Sequence, residues 1–326
     1  MRVAMAGMAA VLALLGPAAS AQRDAAPVAL ADGVTLVPGS FEPGRQPDGN
    51  SIIFDAPAGL IVVDTGRHAW HRDRISAVAK ARTRPIAAIV NTHWHLDHVS
   101  GNLALKAADP SVKVYATRAI DGALAGFLAD GARSGRDMLA GGKLDLTTIE
   151  EIETDLATIA SGERLRPDVA VERSGAMAVA GRRLDLHVAA HAATEADLWI
   201  YDPATRIAVV GDLVTLPAPF LDTACAEGWR EALAAVAATP FTTLVPGHGA
   251  PMTRADFLVY RRAFAALVDC AASAAAAPAC AEGWAASIAP LIGDDSRARQ
   301  RATSMTAYYV AKLLRGDGGK RKYCPG

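Results

Sequence analysis

The chain is read as an α/β protein, with sheets covered by helices, on three observations. Paired runs of aliphatic and aromatic residues face each other across glycine turns. Aliphatic runs of strand length lead directly into stretches with helical spacing. After Arg254 the helical spacing takes over and holds almost to the end of the chain.

Taken in order, residues 22–48 have no clear period and form a lead-in segment. Ser51 to Phe54 and Leu60 to Val63, joined by Pro57-Ala58-Gly59, predict a hairpin that ends at Asp64-Thr65-Gly66. A helix is expected from about Ala69 to Ala81. Pro85 then introduces Ile86 to Val90, a buried strand running into Asn91-Thr92-His93. Val112 to Ala116 predicts a strand and Arg118 to Leu128 a helix. Residues 131–165 are polar and mixed, as in an inserted segment. Two further hairpins are expected, Ala176–Ala180 with Arg183–Ala189 around Gly181, and Leu198–Tyr201 with Arg206–Val210 around Asp202-Pro203-Ala204-Thr205. Leu244-Val245 is a short strand, and two or three helices follow, ending near Arg315. No internal repeat is present.

The chain has 326 residues, 33 basic against 34 acidic, for a net charge of −1. That balance removes electrostatic capture of nucleic acid as a leading function. At 51% hydrophobic residues the chain is not a disordered one. Arg2, the apolar run Val3 to Leu15 and the small-residue site Ala19-Ser20-Ala21 predict a signal peptide cut after Ala21. The run is short for a bilayer span and Pro17 breaks it, so a membrane span is not expected. The predicted organisation is a leader over residues 1–21, a main domain over 22–253, and a helical extension over 254–326 packed on the same domain. The protein is expected to be periplasmic or secreted. Four cysteines, Cys225, Cys270, Cys280 and Cys324, fit two disulfides in an oxidising compartment. Three pairings are open to them; Cys270–Cys280 across the Ala-rich loop, with Cys225–Cys324, is the preferred one. No C-x-x-C occurs, which weakens a zinc reading of these thiols.

Three of the eight histidines fall in one six-residue stretch, His93-Trp94-His95-Leu96-Asp97-His98. If the strand continues into it, His93 and His95 project to one side and Asp97 and His98 follow at the turn. Imidazoles clustered in this way without a metal would leave buried nitrogens unsatisfied and would repel one another when protonated.

This stretch resembles the H-x-H-x-D-H signature of the metallo-β-lactamase superfamily. His191 after Leu184 to Ala190, Asp212 after Ile207 to Gly211, and His248 in Val245-Pro246-Gly247-His248-Gly249 fall in the order of that family's other ligands, over roughly Gly49 to Gly249. The resemblance implies an αβ/βα four-layer sandwich with extra C-terminal helices. It implies that His93, His95 and His191 hold one metal, Asp97, His98 and His248 a second, and that Asp212 bridges them. Asp64 would orient a metal-bound imidazole from behind. The set suits zinc, two ions per chain, and also iron or manganese. One departure stands out: where the family often has a G-H-x-x-G turn, this chain reads Ala190-His191-Ala192-Ala193. His187, four residues earlier, is a rival ligand or a strand histidine with its own partner. His68 and His71 are expected on the surface or the cleft rim.

The chemistry implied is hydrolysis of a small molecule. A water shared by two cations ionises near neutral pH and attacks a carbonyl-type carbon of a thioester, ester, lactone or lactam, with Asp97 as the catalytic carboxylate. No G-x-S-x-G elbow competes with it. Ala192 to Leu198 and Gly211 to Pro217 also resemble exported zinc hydrolases associated with quinoprotein dehydrogenases, which makes a periplasmic dehydrogenase a candidate partner. Three other readings stay open: a β-lactamase, a mononuclear iron enzyme like the persulfide dioxygenases, and a non-catalytic accessory protein for a quinoprotein dehydrogenase. Trp94, Trp70, Phe220, Trp229 and Tyr201 are candidates for the pocket wall.

Overall fold

The computed structural model describes residues 25–315 and 323–324. The predicted leader and its cleavage site at Ala21 lie outside the described residues. Two sheets face each other. The first carries seven strands in sequence order: β1 (Val28–Ala31), β2 (Val34–Val37), β3 (Ser51–Ala56), β4 (Gly59–Val63), β5 (Ile86–Val90), β6 (Lys113–Ala116) and β7 (Val169–Ala170). Its first four strands are antiparallel, and β4 to β7 are parallel. The second sheet is β8 (Gly175–Val179), β9 (Arg182–Ala190), β10 (Ala196–Asp202), β11 (Ile207–Val209), β12 (Thr243–Val245) and β13 (Met252–Thr253). Within it only β11 and β12 run parallel.

The period of two along the strands explains the layering. Ile52, Phe54, Ile61 and Val63 face the second sheet and pack with Leu184, Leu186, Leu198, Ile200 and Val209. The alternate residues Ile53, Leu60, Val62 and Ile89 face outward, onto α1 (Ala69–Ala81). Both faces of the first sheet are therefore buried, which is why its central strands read as unbroken aliphatic runs. Short helices α2 (Leu96–Val99) and α3 (Asn102–Ala108) follow β5. Three more, α4 (Ala119–Ala125), α5 (Phe127–Ala140) and α6 (Leu146–Ala160), lie between β6 and β7. The outer face of the second sheet, with Trp199, Tyr201, Ala208 and Leu244, is covered by α7 (Ala226–Ala238), α8 (Arg254–Ala272), α9 (Ala277–Ile292) and α10 (Ser296–Tyr309). The result is a four-layer αβ/βα sandwich. No helix among the described residues is long and apolar enough to cross a membrane.

Several expectations change. Residues 22–48 hold a hairpin, β1–β2, turned at Asp32-Gly33 with Gly33 at φ 68°; strands of four residues are too short to show a period. The helix expected over Arg118 to Leu128 breaks at Gly126. Strand β5 stops at Val90, so His93 and His95 stand on the loop beyond it. His68 and His71 are buried, not on the rim: His71 Nε2 lies 2.8 Å from Ser51 Oγ under α1, and His68 is held between two carboxylates. The cysteines pair as preferred, Cys225 with Cys324 and Cys270 with Cys280.

The C-terminal helices share one core with the second sheet. Trp284 of α9 is buried, its Nε1 donating to the Pro217 carbonyl at 2.9 Å in the loop that follows Asp212. Trp284→Ala would remove both the ring and that bond. We expect a loss of about 3–5 kcal/mol in chemical denaturation, as for other buried large-to-small changes; a loss under about 1 kcal/mol would mean that α9 is not part of this core.

Candidate metal centre

The loops leaving the C-terminal ends of the two parallel pairs, β4 with β5 and β11 with β12, meet at one edge of the sandwich. Open α/β sheets place their sites at that edge. Here the two sheets are stitched together. Asn50 N donates to Gly247 O at 2.7 Å and Leu198 N to Thr92 O at 2.6 Å, while on the first sheet's own side Gly49 N donates to Asp97 O at 3.0 Å. Asn50 Nδ2 reaches the carbonyls of Pro246 and Gly249, both at 2.9 Å.

Six side chains converge in this stitched region, all of them buried: His93, His95, Asp97, His98, Asp212 and His248. On one side His98 Nε2 stands 3.2 Å from Asp212 Oδ1 and 3.6 Å from Asp97 Oδ2. His248 Nε2 stands 2.9 Å from Asp97 Oδ2 and 3.6 Å from Asp212 Oδ1. On the other side His93 Nε2 and His95 Nδ1 are 2.9 Å apart, at 3.6 and 3.8 Å from Asp212 Oδ2. The two oxygens of Asp212 thus serve two groups of donors. Ligand atoms about 2.0 Å from a tetrahedral zinc stand roughly 3.3 Å apart, which is the spacing seen here.

Hydrogen bonds behind the rings decide which nitrogen faces inward. Thr92 Oγ1 donates to Asp64 Oδ2 at 2.7 Å, so it accepts from His93 Nδ1 at 3.0 Å and leaves His93 Nε2 as a lone pair. His98 Nδ1 donates to Asp64 Oδ2 at 2.8 Å, freeing its Nε2. Thr223 Oγ1 donates to the Ala193 carbonyl at 2.9 Å, so it accepts from His95 Nε2 at 2.9 Å and turns His95 Nδ1 inward. Asp64 sits at φ 57° with its Oδ1 accepting from Thr92 N at 2.8 Å, and so braces two rings at once.

The donor set fits a divalent cation. His98 Nε2 and Asp212 Oδ1 are buried, face each other, and have no hydrogen-bond partner. Two acceptors in that position require a proton or a cation between them. Burial works against charge on His98, but the carboxylates of Asp212, Asp97 and Asp64 outweigh it and hold its pKa well above the usual imidazole range. Burial would likewise raise Asp97 and Asp212, yet His98 and His248 keep both carboxyls far below the ordinary range. Burial, with His98 and His95 beside it, pushes His93 well down, which favours a neutral ligand nitrogen. The loops need two bare positions to close: a Cβ on Gly49 would strike the His98 ring, and one on Gly247 would strike Asp212 Oδ1.

His191 is braced from behind as His93 and His98 are, which leaves its Nε2 free. Its φ of 51° and the bond from its N–H to Glu195 O turn the chain, and its Nδ1 faces the Tyr323 carbonyl at 3.0 Å. The Cys225–Cys324 disulfide anchors the residue beside that carbonyl. His187 stacks on Trp199 at 3.8 Å and stays on its strand. Of the wall candidates, Trp94 and Phe220 lie against His95, at 4.7 and 5.1 Å between ring centres. Trp70 stacks on His68, while Trp229 and Tyr201 belong to the helical core.

Sequence reasoning missed Thr92 and Thr223, for which nothing in the local pattern speaks. It also missed Arg67, whose buried guanidinium pairs with Asp155 and stands 4.0 Å from Asp97 Oδ1. With Arg45 on Glu150 and Glu151, and His68 between Asp48 and Glu151, Arg67 ties α6 to the wall of the centre.

A family model described as the metallo-beta-lactamase superfamily matches residues 44–248. A linear primary-alkylsulfatase of Pseudomonas sp. is 26% identical over 223 residues, 62% of this chain but 41% of that protein. Among solved structures, a stereoselective inverting sec-alkylsulfatase of Pseudomonas sp. superposes with a TM-score of 0.60 at 19% identity, over 93% of this chain and 52% of its own. A metallo-beta-lactamase of Pontibacter korlensis gives 0.51 at 18% identity, over 70% and 93%. The chain therefore spans about half the length of the alkylsulfatases it resembles, and the structural likeness is one of fold.

Asp64→Asn keeps a residue that tolerates positive φ but replaces one of the two accepting oxygens with an NH2 donor, which must then face the donors of Thr92 or His98. Its zinc affinity, read by competition with a chromogenic chelator, should fall about 10- to 100-fold with the fold retained. Unchanged affinity would mean that Asp64 does not brace the centre.

Proposed function

The chain belongs to the metallo-beta-lactamase superfamily, whose members are metal-dependent hydrolases, and we propose that it is an exported dinuclear zinc hydrolase of a small ester-like molecule. The observation that carries this reading is the buried cluster of four imidazoles and two carboxylates, with inward-facing atoms that lack a partner. In this reading His93, His95 and one oxygen of Asp212 hold one ion. Asp97, His98, His248 and the other oxygen of Asp212 hold the second. His191, with its Nδ1 on the Tyr323 carbonyl, would add its Nε2 to the first ion. Export is supported by the two disulfides, which persist in oxidising compartments.

When bound, the cations supply Lewis acidity toward a substrate oxygen and lower the pKa of a shared water from about 15.7 toward about 7. The protein's own part is preorganisation. Thr92, Asp64 and Thr223 hold three rings in one tautomer, so no reorganisation is needed as charge develops. Asp97, kept ionised, accepts a hydrogen bond from the attacking water, while Arg67 steadies its other oxygen. Trp94 and Phe220 give the substrate an apolar wall beside His95 and exclude bulk water.

The substrate class is a thioester, ester, lactone or lactam. A sulfate ester is the second reading, favoured by the 26% identical relative named as an alkylsulfatase. Two measurements on purified protein test the proposal. Elemental analysis should return two zinc per chain; a single iron would point to the oxygen chemistry instead. A panel of chromogenic thioester, lactone, lactam and sulfate-ester substrates should show turnover that Asp212→Asn reduces at least about 100-fold. Inactivity on every substrate with zinc bound would favour an accessory role, with a periplasmic dehydrogenase as the partner to test.

A further inference from the structure

Helix α10 reaches the centre through two aromatic rings, Phe41 and Phe220. Arg301, Met305 and Tyr309 stand at positions i, i+4 and i+8, on one face and about 12 Å apart end to end. At one end the Arg301 guanidinium lies 4.8 Å over the ring of Phe41, and Phe41 lies 5.3 Å from the ring of His248. At the other end Tyr309 lies 6.3 Å from Phe220, which touches His95. One helix face therefore runs from the His248 side of the metal centre to the His95 side, with a cation at one end and aromatic rings at the other.

Arg301 is the anomaly on this face. Other partly buried arginines have acceptors: Arg45 has Glu150 and Glu151, Arg67 has Asp155, and Arg182 has Asp202. Arg301 is half-buried, its Nε is buried without a partner, and no carboxylate among the described residues forms an ion pair with it. Asp295, the acid whose charge acts on it, already caps the start of the helix through the N–H groups of Arg297 and Ala298. A guanidinium stacked on a ring keeps its in-plane N–H fork free, and that fork matches the two oxygens of a carboxylate or sulfate. A desolvated cation left without an acceptor costs stability unless a ligand completes it.

We propose that Arg301 selects the substrate of this centre by binding its oxyanion, so that the substrate is an organic anion. The carboxylate or sulfate group sits on Arg301, and the apolar body lies along the Phe220 and Trp94 wall. This rests on reading the buried cluster as the reaction centre.

The test uses the zinc-loaded full-length chain and three probes of one length: octanoate, octyl sulfate and octanol. Calorimetric titration should show at least one anion binding about 10-fold or more tightly than octanol. Arg301→Gln should lose about 10- to 100-fold for that anion, with little change for octanol. Arg301→Lys, which keeps the charge and loses the fork, should fall between. Zinc content is measured on the same samples and should not change in either variant. Equal binding of anion and alcohol by the unaltered protein, or unaltered anion affinity in Arg301→Gln, overturns the proposal. A chain that takes up no zinc overturns the hydrolase reading instead, and the two failures are thereby told apart. Which anion binds tighter separates a carboxylate from a sulfate substrate.

Discussion

Two ionised carboxylates sit inside this protein, Asp97 and Asp212, each within 4 Å of imidazoles that are themselves buried. Burying such charges in a sandwich of aliphatic sheets is costly unless compensation is held in place. The rest of the site follows from that constraint. The imidazoles must be aimed, the loops carrying them must not move, and the two sheets must keep their separation at this edge. A pair of acceptors left facing one another, His98 Nε2 and Asp212 Oδ1, is what an apolar interior tolerates only when a proton or a cation completes the arrangement.

Aiming is done from behind the rings by short polar side chains. Asp64 occupies a left-handed backbone position at the end of β4 and reaches across to the loop after β5, where it takes Thr92 and His98 together. Thr223 does the same for His95 from the loop before α7. A threonine hydroxyl that has spent its single proton on a better acceptor can only accept from the ring. Two neutral residues thereby set the protonation pattern of a charged site. The bare positions at Gly49 and Gly247 let these loops come into contact at all.

Beyond this shell the molecule clamps the centre from two directions. Arg45, Arg67 and His68 fasten α6 through Glu150, Glu151 and Asp155. On the opposite flank the C-terminal helices share their core with the second sheet and set Arg301 over Phe41 and Tyr309 beside Phe220. The family match ends at residue 248, so the second clamp is built by elements outside the matched region. That division puts the cluster of imidazoles and carboxylates inside the matched region and Arg301 outside it.

The strong local patterns were legible in the sequence. Unbroken aliphatic runs fix β3, β4 and β5 because both faces of that sheet are covered, and α1 has the bounds its periodicity predicts. The spacing of His93, His95, Asp97 and His98 was visible because one loop and the short helix α2 that follows it carry all four, and short-range spacing survives folding unchanged. The β1–β2 hairpin, four residues a strand, left no period to read. What only the tertiary structure decided was long-range direction. His191 follows a strand in the expected order, but which of its ring nitrogens is left free is set by a positive φ and by the Tyr323 carbonyl, 132 residues away in sequence. His68 and His71 looked superficial until Asp48, Glu151 and Ser51 closed on them. Order along a chain records which residues are present, whereas the direction of a side chain depends on partners brought together by sheets and helices distant in sequence. A metal centre assembled from several strand ends is therefore foreseen in its composition before it is foreseen in its geometry.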